Sequence, residues 1–337
     1  MPDLQRARRE LLQLALAALG SDAALSTSPA NVRYLTGLAS SNAALLLPAA
    51  PAAGPVLATD SRYAGTAREA CPDLEILIER AIEPALARVA AGLGIRRLAF
   101  EAHEMTVERY QALAGAVPGT ELVPLGRAVE EIRMAKDEQE IALLARACEI
   151  TSRAFEQVVP LIRPGATERE LAIALERAMT DLGADGLAFD TIVASGPNGA
   201  IPHHVPAGRP FADGDMITVD CGARYQGYHA DTTRTVVLGQ PAPWQQDIYA
   251  LVAAAQAAGI EAAVPGADVQ DVDAAARDLI AEAGHGGHFQ HGLGHGVGLE
   301  IHEAPIMGYG RTGTLGDRVP ITVEPGIYLP GQGGVRI

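Results

Sequence analysis

The sequence predicts an α/β (α+β) protein in two domains, 1–128 and 129–337. Three observations support this. The chain has 337 residues, more than a single hydrophobic core usually organises. As far as about Gly126, short apolar runs bounded by Pro and Gly alternate with helical stretches. Around Gly126–Asp137 the pattern gives way to a long segment of helical period with few breakers.

In the first domain, MPDLQRARRELLQLALAALG carries mixed charges, and Gln13 interrupts its apolar stretch. It reads as an amphipathic helix and not as a signal peptide. Candidate strands are Ala43–Leu47, Val56–Thr59, Glu75–Ile78 and Arg97–Phe100, with helices at Glu83–Leu93 and Met105–Ala116. Pro84 suits a first helical turn, where its missing N–H costs nothing. Pro48–Pro55 and Pro118–Gly119 are turn signals. The domain boundary is expected near Leu125–Arg133.

In the second domain, RAVEEIRMAKDEQEIALLARACEITSRAFEQVV puts Ile141, Leu144, Cys148, Thr151, Phe155 and Val158 on one helical stripe. Thr167 with Glu170 is a capping box, and Gly183 is a plausible stop. Between them Leu171, Ala174, Leu175, Ala178, Met179 and Leu182 give one apolar face. Further helices are expected at Gln245–Ala263 and at Asp268–Ala283, the latter stopped by Gly284. Strands are expected at Thr191–Ser195, Met216–Cys221, Thr232–Leu238 and Ile321–Glu324.

Composition narrows the function. The net charge is −15 and the pI near 5.0, which repels phosphate backbones and argues against nucleic acid. No apolar run of about 18 residues, the length that could span a bilayer, occurs in the sequence. Cys71, Cys148 and Cys221 are odd in number and widely spaced, which fits a reducing cytoplasm better than a disulfide framework. Of the 9 histidines, all but His103 lie between His203 and His302. Histidine is the common neutral metal ligand and the usual proton carrier near neutrality.

Three stretches concentrate chemistry. In MITVDCGARYQGYHADTTRTVVL, Asp220 ends an apolar strand and Asp231 opens the return strand, with Gly222 and Gly227 supplying the turn. Such a hairpin can set the two carboxylates side by side. That is costly unless a cation lies between them or one is protonated. Each Asp alone also fits an ordinary strand-end turn. In HFQHGLGHGVGLEIHEAP, His291, His295 and His302 sit among glycines that let backbones approach closely. The spacing is not the HExxH pattern of zinc proteases. GLGHGVG has no following Lys or helix, so it is not a phosphate loop. A flexible surface loop is the alternative reading. In VPITVEPGIYLPGQGGVRI, Glu324 leaves an apolar strand and enters a Pro-Gly turn, where a ligand or a plain strand-end residue could stand.

Together the strings ASGPNGAIPHHVP, VDCGARYQGYHADTTRT, HGLGHGVGLEIHEAP and TVEPGIY, in this order over about residues 130–337, resemble the pita-bread metallopeptidases. That family includes methionine aminopeptidase, aminopeptidase P and Xaa-Pro dipeptidase. NVRYLTG and the domain around it resemble the creatinase-like N-terminal domain of the Xaa-Pro members. The resemblance implies two divalent ions (Mn, Co or Zn) on an Asp–Asp–His–Glu–Glu set. Asp220, Asp231, His295 and Glu324 match the first four, with Asp231 bridging the ions. It casts His203 and His302 as catalytic histidines. His291 and Arg336 would bind substrate or support neighbouring carboxylates. His103, His204, His229, His285 and His288 are expected to be structural or solvated. The family's last Glu follows GVRI, and the sequence stops at Ile337, so the C-terminal domain is expected to be truncated and the second ion site incomplete. The implied activity is hydrolysis of the peptide bond before proline in Xaa-Pro dipeptides, in a cytoplasmic homodimer. Aminopeptidase P acting on longer peptides, a creatinase-like hydrolase and a binding protein without peptidase activity are the alternatives.

Overall fold

A computed structural model describes residues 2–50 and 53–337. Positions 51 and 52 of the expected Pro48–Pro55 turn lie outside the described residues. By internal contacts the chain divides into Met1–Arg133 and Met134–Ile337.

The first unit contains, in chain order, α1 (Pro2–Leu19), β1 (Ala23–Ser26), α2 (Pro29–Thr36), β2 (Ala43–Pro48), β3 (Val56–Thr59), α3 (Ala64–Ala70), β4 (Glu75–Ile78), α4 (Ile82–Gly92), β5 (Arg97–Phe100), α5 (Val107–Ala116), β6 (Glu121–Pro124) and α6 (Ala128–Met134). Its six-stranded sheet runs β4-β3-β2-β1-β5-β6. β2 is antiparallel to β1 and β3, while the outer pairs and β1–β5 are parallel. Within this unit the strands unforeseen from sequence are β1 and β6. β1 is four residues long and buried at every position, so it offers no alternation to read. Leu25, Leu46, Val56, Leu86, Leu98 and Phe100 fill the core over this sheet.

NVRYLTG forms α2 and its stop. Gly37, at φ 84°, takes the left-handed conformation that closes the helix. The side chain of Ser28 does not cap the other end. The fully buried Glu101 instead fixes the turn that leads into the helix, accepting from the backbone N–H groups of Thr27 (2.6 Å) and Ser28 (2.7 Å).

The second unit contains α7 (Glu138–Val158), α8 (Glu168–Asp181), β7 (Gly186–Leu187), β8 (Ile192–Ser195), β9 (Met216–Cys221), β10 (Ala223–Tyr225), β11 (Tyr228–His229), β12 (Thr232–Val237), α9 (Pro243–Ala262), α10 (Val269–Glu282), β13 (Gly294–Gly296), β14 (Glu303–Met307), β15 (Gly326–Leu329) and β16 (Gly333–Arg336). Its strands make the sheets β12-β9-β8 and β11-β10-β7 and the pairs β13-β14 and β15-β16.

Three expectations need correction. The long helical segment is broken between α6 and α7, because Asp137 accepts from Glu140 N–H at 2.9 Å while Glu140 reaches back to Asp137 N–H at 3.0 Å, forming a capping box that starts a new helix. The α7 stripe is also rotated. Leu144, Thr151 and Val158 are buried, but Ile141 and Cys148 are exposed, and Ala147, Ile150 and Ala154 take the core side. Small alanines allow close helix packing that an apolar count underrates. Finally, Ile321–Glu324 is not a regular strand. Ile321 makes an isolated bridge to Gly296, and the strand proper begins at Gly326. The segment still lies along β13, with Thr322 N–H bonded to His295 O at 2.8 Å and Glu324 N–H to Leu293 O at 2.8 Å.

Candidate metal centre and catalytic cavity

In the second unit a cavity of about 860 Å³ is lined by His203, Asp220, Asp231, His291, His295, His302, Glu324 and Arg336, among others. The residues singled out by sequence therefore share one cavity.

The hairpin of β9 and β12 delivers the two aspartates. Asp220 is the penultimate residue of β9 and lies opposite Thr233, while Asp231 immediately precedes β12. The chain between them makes its own small hairpin, β10–β11, and returns tightly. A Cβ at Gly222 would meet Ala230 O at 1.9 Å, so only glycine fits there. The same holds beside His295, where a Cβ at Gly294 would meet Thr322 O at 2.0 Å. This close approach brings the Glu324 segment against β13.

Asp231, His295 and Glu324 each offer one ligand atom, and these atoms lie within 4.8 Å of one another. His295 Nε2 is 3.3 Å from Asp231 and 3.2 Å from Glu324. Its Nδ1 lies 2.9 Å from Gly296 O, which leaves Nε2 facing the carboxylates. Burial alone would lower the His295 pKa, but hydrogen bonds to Asp231 and Glu324 outweigh it and raise it to about 10. Burial would raise Glu324, and the bonds from His295 and Thr322 hold it below the ordinary value. Thr322 Oγ1 donates to Glu324 at 2.9 Å and accepts from His295 N–H at 3.1 Å, tying both ligands to one hydroxyl.

Asp220 lies outside that trio. The buried Arg336 donates to its Oδ2 at 2.7 Å, and its Oδ1 is buried with no partner. Burial pushes the carboxyl up, Arg336 pulls it back, and Asp231 and Glu324 push it up again, to about 7. Arg336 also donates to Tyr328 Oη at 2.8 Å and to Pro202 O at 3.2 Å. It thus joins Asp220 to the loop that carries His203.

His203 and His302 are both exposed within the lining. The His302 ring stands edge-on to His295 with centroids 4.4 Å apart, and burial together with repulsion from His295 lowers its pKa. His291 bonds Tyr328 Oη at 2.8 Å, and burial lowers its pKa. Among the other histidines, His204 lines the cavity too. Its Nε2 is 2.8 Å from the fully buried Glu168, which also accepts from Ser195 N–H, Ser195 Oγ, Asn198 and Ala207 N–H. Sequence reading missed Glu168, Thr322 and Tyr328 as supports. Tyr328 stands within the quoted TVEPGIY string, whereas Glu168 gives no local signal beyond its place beside a capping threonine.

The donor set fits divalent cations. Three carboxylates and one imidazole converge, and one buried carboxylate oxygen lacks any protein partner. Such oxygen-rich ligation suits borderline and hard divalent metals.

This fold and site define a metallohydrolase with a pita-bread C-terminal domain. The model of metallopeptidase family M24 matches residues 142–337, and that of the creatinase/prolidase N-terminal domain matches 8–135. The chain belongs to metallopeptidase family M24. It is 39% identical to the uncharacterized peptidase YqhT of Bacillus subtilis (strain 168) over 95% of this chain and 90% of that relative. Among solved structures it resembles an Xaa-Pro dipeptidase from Bacillus anthracis, with a TM-score of 0.94 at 36% identity, covering 99% of this chain and 93% of that one. It also resembles an X-Pro aminopeptidase from Thermotoga maritima MSB8, with a TM-score of 0.87 at 35% identity, covering 96% and 93%. Among the described residues no helix is long and apolar enough to cross a membrane.

Proposed function

We propose that the protein hydrolyses the peptide bond before proline in Xaa-Pro dipeptides, using two divalent ions held by Asp220, Asp231, His295 and Glu324. The observation that carries this is the meeting of Asp231, His295 and Glu324 within ligand reach of one another, in the same cavity as the half-satisfied Asp220. Manganese, cobalt or zinc suits the set. When bound, such ions supply Lewis acidity and an activated water.

The remaining work falls to the chain. His203, exposed into the cavity and free of side-chain partners among the described residues, donates a hydrogen bond to the carbonyl oxygen as it gains negative charge. His302, held against His295, carries protons at the cavity side. Arg336 keeps Asp220 aimed inward and fixes the His203 loop through Pro202. Phe189, Ile192, Val205 and Ile301 give the cavity an apolar wall. A proline ring can lie there because it brings no amide N–H that would need an acceptor. Hydrolysis of Ala-Pro by protein loaded with manganese tests the reading. Cleavage that a chelator abolishes is expected. No cleavage with manganese, cobalt or zinc would overturn it.

A further inference from the structure

The β13–β14 hairpin carries a cavity histidine at each end of its loop. His295 lies in β13 and His302 immediately precedes β14. Gly296 pairs with Glu303, so residues 297–302 form the connection. Across it the His295 and His302 rings meet edge-on, with centroids 4.4 Å apart. A surface connection left to itself samples many conformations. This one is tied down at Val297, whose N–H bonds Pro320 O at 3.2 Å, and at Gly298, whose O accepts from His229 N–H at 2.9 Å.

The stretch next to His302 is held by the Glu303 side chain. Its Oε1 accepts from Glu300 N–H at 3.0 Å. The carboxylate also lies against Gly298, where a Cβ would meet Oε2 at 2.6 Å. Oε2 in turn pairs with Lys136 Nζ at 2.9 Å. Both side chains are buried, 1% exposed for Lys136 and 6% for Glu303. The lysine stands on fixed backbone. Its own N–H bonds Arg318 O at 2.8 Å, and the next residue, Asp137, caps α7. Neither Lys136 nor Glu303 lines the cavity. An ion pair taken out of water pays for its own desolvation, and an apolar pair of similar volume often stabilises a core as well or better. What the charges add is direction, because the carboxylate has one place to go.

We propose that Lys136 is a positioning residue for His302. It holds the Glu303 carboxylate, the carboxylate holds the end of the 297–302 loop, and the loop sets the His302 ring against His295. Lys136 acts only through this chain of contacts. The inference rests on the Xaa-Pro peptidase reading, in which His302 carries protons at the cavity.

The test uses the manganese-loaded full chain and Ala-Pro. Lys136→Met alone strands a buried carboxylate and risks the fold, so the informative variant is the double change Lys136→Met with Glu303→Gln. It removes both charges, and the new amide oxygen can still accept from Glu300 N–H. This variant should melt near wild type, with KM and manganese content preserved. Its kcat should fall by about 10- to 100-fold, the scale of a displaced catalytic group. The same double change is then added to His302→Ala. There it should lower kcat by less than about twofold, since groups acting through one another do not add. A double variant with wild-type kcat, or one that loses as much rate without His302 as with it, overturns the positioning role and leaves the peptidase reading standing. Failure of the metal-loaded wild type to cleave Ala-Pro overturns the peptidase reading instead. A crystal structure of the double variant then decides the remainder. A His302 ring displaced from His295 upholds the tether, and a ring still in place overturns it.

Discussion

Asp220 and Asp231 leave the same β9–β12 hairpin and line the same cavity, yet they meet different partners. Asp231 faces an imidazole at 3.3 Å and shares it with Glu324. Asp220 is held by a guanidinium and keeps one oxygen unpartnered. One side of the cavity gathers three groups able to ligate a metal, with a hydroxyl that supports two of them. The other is a single donor kept in place by an arginine that cannot itself bind a metal. Sharing a hairpin thus brings two carboxylates together without giving them the same role. The neighbours from β13 and β16 decide that.

The largest expected effect comes from breaking the donor-rich side. Asp231→Ala removes one of the three groups that meet there, and hydrolysis of Ala-Pro should fall by more than about 1000-fold together with bound metal. A variant near wild-type rate would show that the trio is not the metal site. Next comes His203→Ala, which leaves every proposed ligand in place. Loss of one donor to a developing oxyanion should lower kcat by about 100- to 1000-fold, with metal content unchanged by elemental analysis. An unchanged rate would remove His203 from the chemistry.

The arginine-held side should fail through stability. Arg336→Met leaves Asp220 buried opposite Asp231 and Glu324. Stripping a buried ion of its partner costs about 3–5 kcal/mol, and Asp220 should sit at the lower end because it can take up a proton. Urea denaturation in chelator measures this loss, and added manganese should recover part of it. Loss of less than about 1 kcal/mol would mean that Arg336 is dispensable to Asp220.

A pH series separates the two sides more finely. The Asp220 carboxyl is raised from 3.8 to about 7. Between those values the folded, chelated chain holds a proton that the unfolded chain has released. Its contribution therefore diminishes as pH rises through that window. His295, raised from 6.5 to about 10, contributes fully below 6.5 and loses its effect towards 10. In chelator, the stability difference between wild type and Asp220→Asn should thus shift against wild type from about pH 4 to pH 7. A difference flat over that range would refute the burial argument. The smallest effect is expected for Thr322→Val, which removes one hydroxyl serving both His295 and Glu324. A cost of about 1 kcal/mol is expected by the same denaturation measurement. No measurable cost would mean that the hydroxyl supports neither ligand.

Legibility in sequence followed locality. β2 to β5 were readable because Pro and Gly turns bound their apolar runs, as was α8 with its Thr167–Glu170 box. β1, wholly buried, and the break before α7 were not, since each depends on tertiary partners or on a cap inside a helix-like pattern. In the site, His203, Asp220, Asp231, His291, His295, His302, Glu324 and Arg336 stand at strand ends or in Gly-rich runs, and the strings that hold them can be matched. Glu168 and Lys136 lie outside such signals, whereas Thr322 stands inside TVEPGIY. Lys136, 1% exposed, pairs with Glu303 at 2.9 Å across 167 positions of sequence, a separation that no local pattern reports.

The central claim is that Asp231, His295 and Glu324 are metal ligands. Anomalous scattering from manganese-soaked crystals tests it most directly. A peak in coordination contact with one atom of each of the three is expected, with a second, next to Asp231, on the Asp220 side. Manganese at saturating concentration giving no peak there, or one only elsewhere on the molecule, would contradict it.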